Sequence, residues 1–156
     1  MNFFSDRLAA RLPFFYGYVM IPVAMVIQVC TSPGQTFAIS AFTPAIRDSL
    51  RLSDSKLSLA YMMGTVLAAL PLSIVGPMSD RWGLRATTLV ATLALSLTCL
   101  LASEVSSFLT LFVAFFALRF LGQGSLTLLS GNAISMWFRT KIGRVSAAMS
   151  FGTAIT

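Results

Sequence analysis

Long apolar runs joined by short polar turns set the layout of this chain. Apolar positions dominate four stretches, near 14–42, 55–77, 86–103 and 107–136, and a fifth run covers 145–156. A helix needs about 20 mostly apolar residues to cross the hydrocarbon of a bilayer, so the first four runs are expected spans. The fifth is too short to cross and is expected to be the beginning of another helix. No domain boundary or low-complexity segment interrupts the pattern, and short connections suit a medium in which lipid-exposed irregular backbone is not tolerated. The expected class is an all-α membrane protein with four transmembrane helices and an incomplete fifth.

Composition agrees with that pattern. Hydrophobic residues make up 56% of the chain and charged residues only 10%, too little polar cover for a soluble domain of this length. The net charge of +6 raises nucleic acid as a partner, but Lys and Arg sit between the apolar runs instead of forming a patch interleaved with aromatics. The expected partner is the lipid bilayer, with no nucleic acid. Cys30 and Cys99 both lie in apolar runs, where a thiol acts as a small hydrophobe, and imply no disulfide. The chain starts like a signal peptide, with Arg7 and Arg11 before an apolar stretch, but that stretch is too long and has no small-x-small cleavage site. It is read as the first span.

The distribution of basic residues orients the spans. Arg7, Arg11, Arg81, Arg85, Arg139, Lys141 and Arg144 fall on one side; Arg47, Arg51 and Lys56 fall on the other, among Asp48 and Asp54. The bias places the N-terminus and the Gly76 to Arg85 loop in the cytoplasm; the expected location is the plasma (cell inner) membrane, as a multi-pass protein. Ser53 is placed to cap the second helix.

Two polar stripes cross the expected spans at depth. Gln28, Thr31, Ser32, Gln35 and Thr36 recur at helical spacing around Pro33-Gly34, on one face of a helix interrupted near its middle. Such groups either hydrogen-bond between neighbouring helices or line a cavity; their gathering beside a Pro-Gly break favours the cavity. Arg119 is the one charged residue deep inside a run, and Gln123, Thr127 and Ser130 continue its face. Burying it costs about 2.5–3.5 kcal/mol on insertion scales, so it is expected to face the bundle interior with a partner. All five acids lie at run ends, which leaves a group outside the chain, or the substrate, as that partner. A guanidinium matches a carboxylate in a bidentate way, which points to an anionic substrate. The other reading is a packing arginine satisfied by backbone carbonyls or a carboxylate.

Between the second and third runs lies Gly-Pro-Met-Ser-Asp-Arg-Trp-Gly-Leu-Arg, from Gly76 to Arg85. The glycines allow a sharp turn, Pro77 is expected to stop the incoming helix, and Asp80, Arg81 and Arg85 hold the turn at a membrane surface. The segment resembles the loop after the second helix of the major facilitator superfamily, Gly-x-Leu-(Ala/Ser)-Asp-Arg-x-Gly-Arg-(Lys/Arg). Gly76, Ser79, Asp80, Arg81, Gly83 and Arg85 are in register; Met78 replaces Leu, and Leu84 stands where the family has a basic residue. The segment from Leu118 to Phe138 is similar to the family's fourth helix, with Gly122 and Gly124 three and five residues after Arg119 instead of the usual four. Phe15-Tyr16-Gly17-Tyr18, Ser32-Pro33-Gly34-Gln35 and Trp137-Phe138 look like the branch containing monocarboxylate and oxalate/formate carriers, although no acid lies near Gly17.

The resemblance implies a twelve-helix secondary transporter whose two six-helix halves rock around a central site. Residues 1–156 would then be part of the N-terminal half. The Gly76 to Arg85 loop would be the cytoplasmic gate, and Arg119, Gln123, Thr127, Gln28, Thr31, Ser32 and Gln35 the cavity. The implied partners are a small, anionic substrate and the missing C-terminal half, without which the chain is not expected to transport. A small four-helix membrane assembly protein, with the stripes as oligomer contacts, is the alternative. A small dimeric exporter is a third reading, but Arg119 is a poor proton carrier. With no His, no Cys pair at metal-ligand spacing, no carboxylate pair within the spans and no P-loop, neither an enzyme nor a cofactor or metal site is expected.

Overall fold

The computed structural model describes residues 17–136 together with Phe138, Gly143 and Ala147. Arg7, Arg11, Trp137, Arg139, Lys141, Arg144 and, apart from Ala147, the expected fifth helix lie outside the described residues. Within them the protein is all-α, and no strand occurs.

The first apolar run is two helices. α1 (Gly17–Cys30) ends at a 3-10 turn, Ser32–Gly34, and α2 (Thr36–Leu50) follows, so the helical run extends past the expected end at 42. The turn is closed by backbone bonds from Gly34 to Thr31 (2.9 Å) and from Gln35 to Ser32 (3.0 Å), and Gln35 is extended. Proline alone does not cause the break, since Pro22 and Pro44 sit inside α1 and α2. What distinguishes Pro33 is Gly34, which lies against the backbone of the fourth span. A Cβ there would fall 2.3 Å from the Leu118 carbonyl oxygen and 2.8 Å from the Gln123 nitrogen.

α3 (Asp54–Trp82) begins at Ser53, whose hydroxyl accepts from the Lys56 N–H at 3.4 Å. It overruns the expected limit at 77. Pro77 does not stop it: Pro71 and Pro77 both lie inside the helix, as prolines do in membrane-spanning helices whose freed backbone groups find other partners. The expected ten-residue turn therefore shrinks to Gly83 alone, at φ 85°, in the left-handed region that glycine tolerates. Gly83 ends α3 and starts α4 (Leu84–Ser103). Thr87 returns both its N–H and its hydroxyl to the Gly83 carbonyl.

The fourth span is one rod of three parts: α5 (Phe108–Leu118), a π-helical stretch (Arg119–Leu126) and α6 (Thr127–Ser135). A capping box of Ser107 and Thr110 starts it. The rod, α3 and α4 are each long and apolar enough to cross a membrane. The rod is also the hub of packing, touching α1, the 3-10 turn, α3 and α4. Ala24 of α1 packs with Ala133 and Ile134 of α6, whereas Ile39 of α2 packs with Leu57, Ala60, Leu111 and Phe115. Val75, Ala91, Leu95, Leu118, Leu126 and Leu129 join α3, α4 and the rod. The outer faces expose Val66, Leu70, Leu89, Leu93 and Leu97, as lipid-facing helices do.

Many hydroxyls in these apolar helices are satisfied locally. Thr65, Thr88, Thr92 and Thr98 each donate to the carbonyl four residues back, which removes the cost of a free hydroxyl in hydrocarbon.

Candidate functional site

Arg119 is the first residue of the π stretch and is only 7% exposed. Its Nε donates to Thr65 Oγ1 at 3.2 Å, and Nη2 donates to Thr36 Oγ1 at 3.1 Å. The guanidinium carbon lies 4.6 Å from the centre of the Tyr61 ring, within cation–π range. Tyr61 donates its hydroxyl to the same Thr36 oxygen at 3.2 Å and meets Phe115 edge-on. Thr65 in turn donates to the Tyr61 carbonyl at 2.8 Å, which fixes its rotamer.

Three neutral side chains from α2 and α3 surround Arg119, and none is a carboxylate. One group remains unmet: Nη1 is buried with no hydrogen-bond partner. A buried unsatisfied donor costs about 1–3 kcal/mol, and more when it is charged.

The helix-1 stripe does not survive as a single face, because the 3-10 turn divides it. Gln28 accepts from Ser130 at 2.7 Å through Oε1, tying α1 to α6. Thr31 is buried, donates to the Gln28 carbonyl at 2.6 Å and accepts from Gln35 Nε2 at 3.0 Å. Ser32 donates to the Val29 carbonyl, and Thr36, beyond the turn, joins Arg119. The helix-4 stripe is also redrawn. Gln123 is exposed, whereas Arg119 and Ser130 are buried. Thr127, just past the π stretch, buries an Oγ1 that has no partner. Among the described residues, Arg119 Nη1 and Thr127 Oγ1 are the buried side-chain polar atoms in that condition, and they bracket the π stretch.

Tyr61 and Thr65 were not singled out in the sequence. Their signal was available, since they are polar groups four apart in an apolar run and so share a face of α3.

At the other end of α3, Asp80 and Arg81 belong to its last turn and Arg85 to the first turn of α4; all three are exposed. Among the described residues none of them forms an ion pair; Arg47 does, with Asp48 at 3.1 Å and Asp54 at 3.2 Å. Gly76 is inside the helix, and a Cβ there would meet nothing within 4 Å. Of the two glycines of this segment, Gly83 alone makes the turn. No group of three His, Cys, Asp or Glu side chains suited to a metal ion occurs among the described residues.

The sequence profile of the Major Facilitator Superfamily matches residues 24–156. No curated protein and no solved structure matches. The profile match takes in the break in the first span, the Gly83 turn and the whole arginine cradle, and on it the chain belongs to the major facilitator superfamily of membrane transporters.

Proposed function

We propose that this protein is a secondary carrier of a small organic anion, such as a monocarboxylate, and that Arg119 is the cation that binds it. The observation that carries this reading is a buried guanidinium with neutral partners only and one nitrogen unmet. A charge at that depth needs compensation, and a carboxylate supplies both the charge and the missing acceptor. The Ser32–Gln35 segment, with its likeness to the monocarboxylate and oxalate/formate branch, lies at the same crossing. Gln28, Thr31, Ser32, Gln35, Gln123 and Thr127 line the path on this reading, with the exposed Gln123 side chain facing the second half of the carrier.

The chain supplies part of one six-helix half of a twelve-helix carrier in the cell's inner membrane, with its N-terminus and the Gly83 turn in the cytoplasm. Asp80, Arg81 and Arg85 are then available there to the opposite half, and Asp80 suits the positive end of one of its helices.

The test is uptake of labelled small carboxylates by membranes carrying the full-length protein or its Arg119→Ala variant. Loss of uptake with normal membrane insertion is expected. Uptake at the wild-type rate would overturn the assignment.

A further inference from the structure

Around Arg119 the hydrogens outnumber the oxygens able to accept them. A guanidinium has five N–H donors and no acceptor, and a threonine hydroxyl has two lone pairs and one hydrogen. Nε commits its hydrogen to Thr65, and Nη2 commits one of its two to Thr36. Nη1 is buried and commits neither. The end of the fork, formed by Nη1 and the second Nη2 hydrogen, is therefore the edge where both oxygens of a carboxylate find donors side by side.

Thr36 adds a donor beside that edge. Its oxygen accepts twice, from Arg119 Nη2 at 3.1 Å and from the Tyr61 hydroxyl at 3.2 Å, so both lone pairs are taken and only the hydrogen is left to bond. Neighbouring hydroxyls of the first span give their hydrogens to the backbone: Thr31 to the Gln28 carbonyl, Ser32 to Val29, Ser40 to Phe37 and Thr43 to Ile39. The Thr36 hydrogen has no acceptor among the described residues. Thr36 is the first residue of α2, directly after the break, and is exposed, so a ligand can reach it. Two bonds donated into one oxygen also strengthen its own hydrogen as a donor. Thr65, by contrast, has its hydrogen on the Tyr61 carbonyl.

We propose that Thr36 is a second substrate-binding donor, and that the anion carries an acceptor oxygen on the carbon next to its carboxylate, as a 2-oxo acid does. This rests on Arg119 binding the carboxylate. The two hydrogens of Nη2 diverge, so a carboxylate oxygen on the second is not the oxygen that Thr36 reaches; an oxygen one carbon further along is. Arg119 then supplies affinity for any small carboxylate, and Thr36 supplies the choice among them. An acid with an apolar group in that place leaves the Thr36 hydrogen unmet, which counts against it.

Pyruvate and methacrylate test this, since both are planar carboxylates of one charge and differ in a C=O against a C=CH2. The full-length protein in lipid nanodiscs is titrated with each, and half-saturation is read from the thermal shift. Wild type is expected to bind pyruvate about fivefold tighter, the equivalent of one hydrogen bond. Thr36→Val brings the two anions level, and Thr36→Ser keeps the preference. Tyr61→Phe retains the ring over Arg119 but frees a lone pair on Thr36, so the hydroxyl can turn and the preference falls; this variant decides the matter if Thr36→Val does not insert. A residue that merely props up the fold would weaken both anions alike and leave their ratio unchanged. If wild type shows no preference, or Thr36→Val keeps it, while Arg119→Gln abolishes binding of both anions, the role of Thr36 is wrong and the Arg119 site stands. If Arg119→Gln binds both like wild type, or neither anion shifts the wild-type protein, the reading of Arg119 fails and the role of Thr36 with it.

Discussion

Arg119 sits among hydroxyls and a ring, and on the proposed reading the choice of neutral partners is what leaves it free to bind an anion. A carboxylate in the same position would quench the charge and make the residue structural. Arg51, at the end of α2, illustrates the opposite use of an arginine, in which the backbone matters more than the side chain. It adopts φ 48°, ψ 41° at the C-terminal cap, the one non-glycine residue with positive φ among those described. The left-handed conformation strains any residue with a Cβ and favours glycine at helix ends. Arg51→Gly is therefore expected to stabilise the protein by about 0.5–1 kcal/mol, measured as a higher midpoint of thermal unfolding in detergent.

Two irregular elements, the 3-10 turn after α1 and the π stretch after α5, touch through Gly34 and Gly122. A Cβ on Gly122 would lie 2.8 Å from the Gly34 Cα, and the reverse distance is the same. Each irregularity makes room for the other: the extended backbone at Gln35 lets Gly34 approach Leu118 and Gln123, whose positions differ by five, the spacing of a π hydrogen bond. Gly34→Ala forces backbone apart on both sides and should cost about 3 kcal/mol by overpacking, seen as a lower unfolding midpoint. A midpoint equal to wild type would show that the contact is loose. The apolar runs, the cap at Ser53 and the depth of Arg119 were legible in the sequence, because hydropathy and charge are written residue by residue. The π stretch was not, since whether a backbone N–H reaches back four residues or five is decided here by a neighbouring element. The continuation of α3 through Pro77 was missed because proline was weighed as a breaker, whereas a membrane-spanning helix tolerates proline where the freed backbone groups find other partners. Tyr61 and Thr65 were overlooked because a tyrosine and a threonine in an apolar run have no charge to draw notice until a guanidinium lies against them.

Across the whole molecule, the Phe108–Ser135 rod is the axis around which the other helices are arranged. It holds α1 by one apolar cluster near Ala133 and α2 by another near Leu111, with the break and Arg119 between them. The two ends of the first span thus rest on separate parts of the rod. On the proposed orientation the Asp80 end faces the cytoplasm, far along α3 from Tyr61, and its exposed charges are free to hold the inward side closed against the second half. Asp80→Asn is expected to shift the carrier toward its inward-open state and change its transport rate, while leaving anion affinity at Arg119 within about twofold, since the sites are too far apart to share a partner. Accessibility of thiols introduced on either side of the membrane reads that balance, and an unchanged pattern would count against a gate.

Gly83 has a mechanical meaning. A single residue joins a helix of 29 residues to one of 20, and a threonine stitches the second helix back to that same residue through two bonds. There is no slack in such a joint to absorb a displacement. On the proposed orientation, a displacement of the α3 end at the membrane surface is expected to reach Tyr61 and Thr65, since α3 runs unbroken from there to Trp82 and those residues hold the guanidinium.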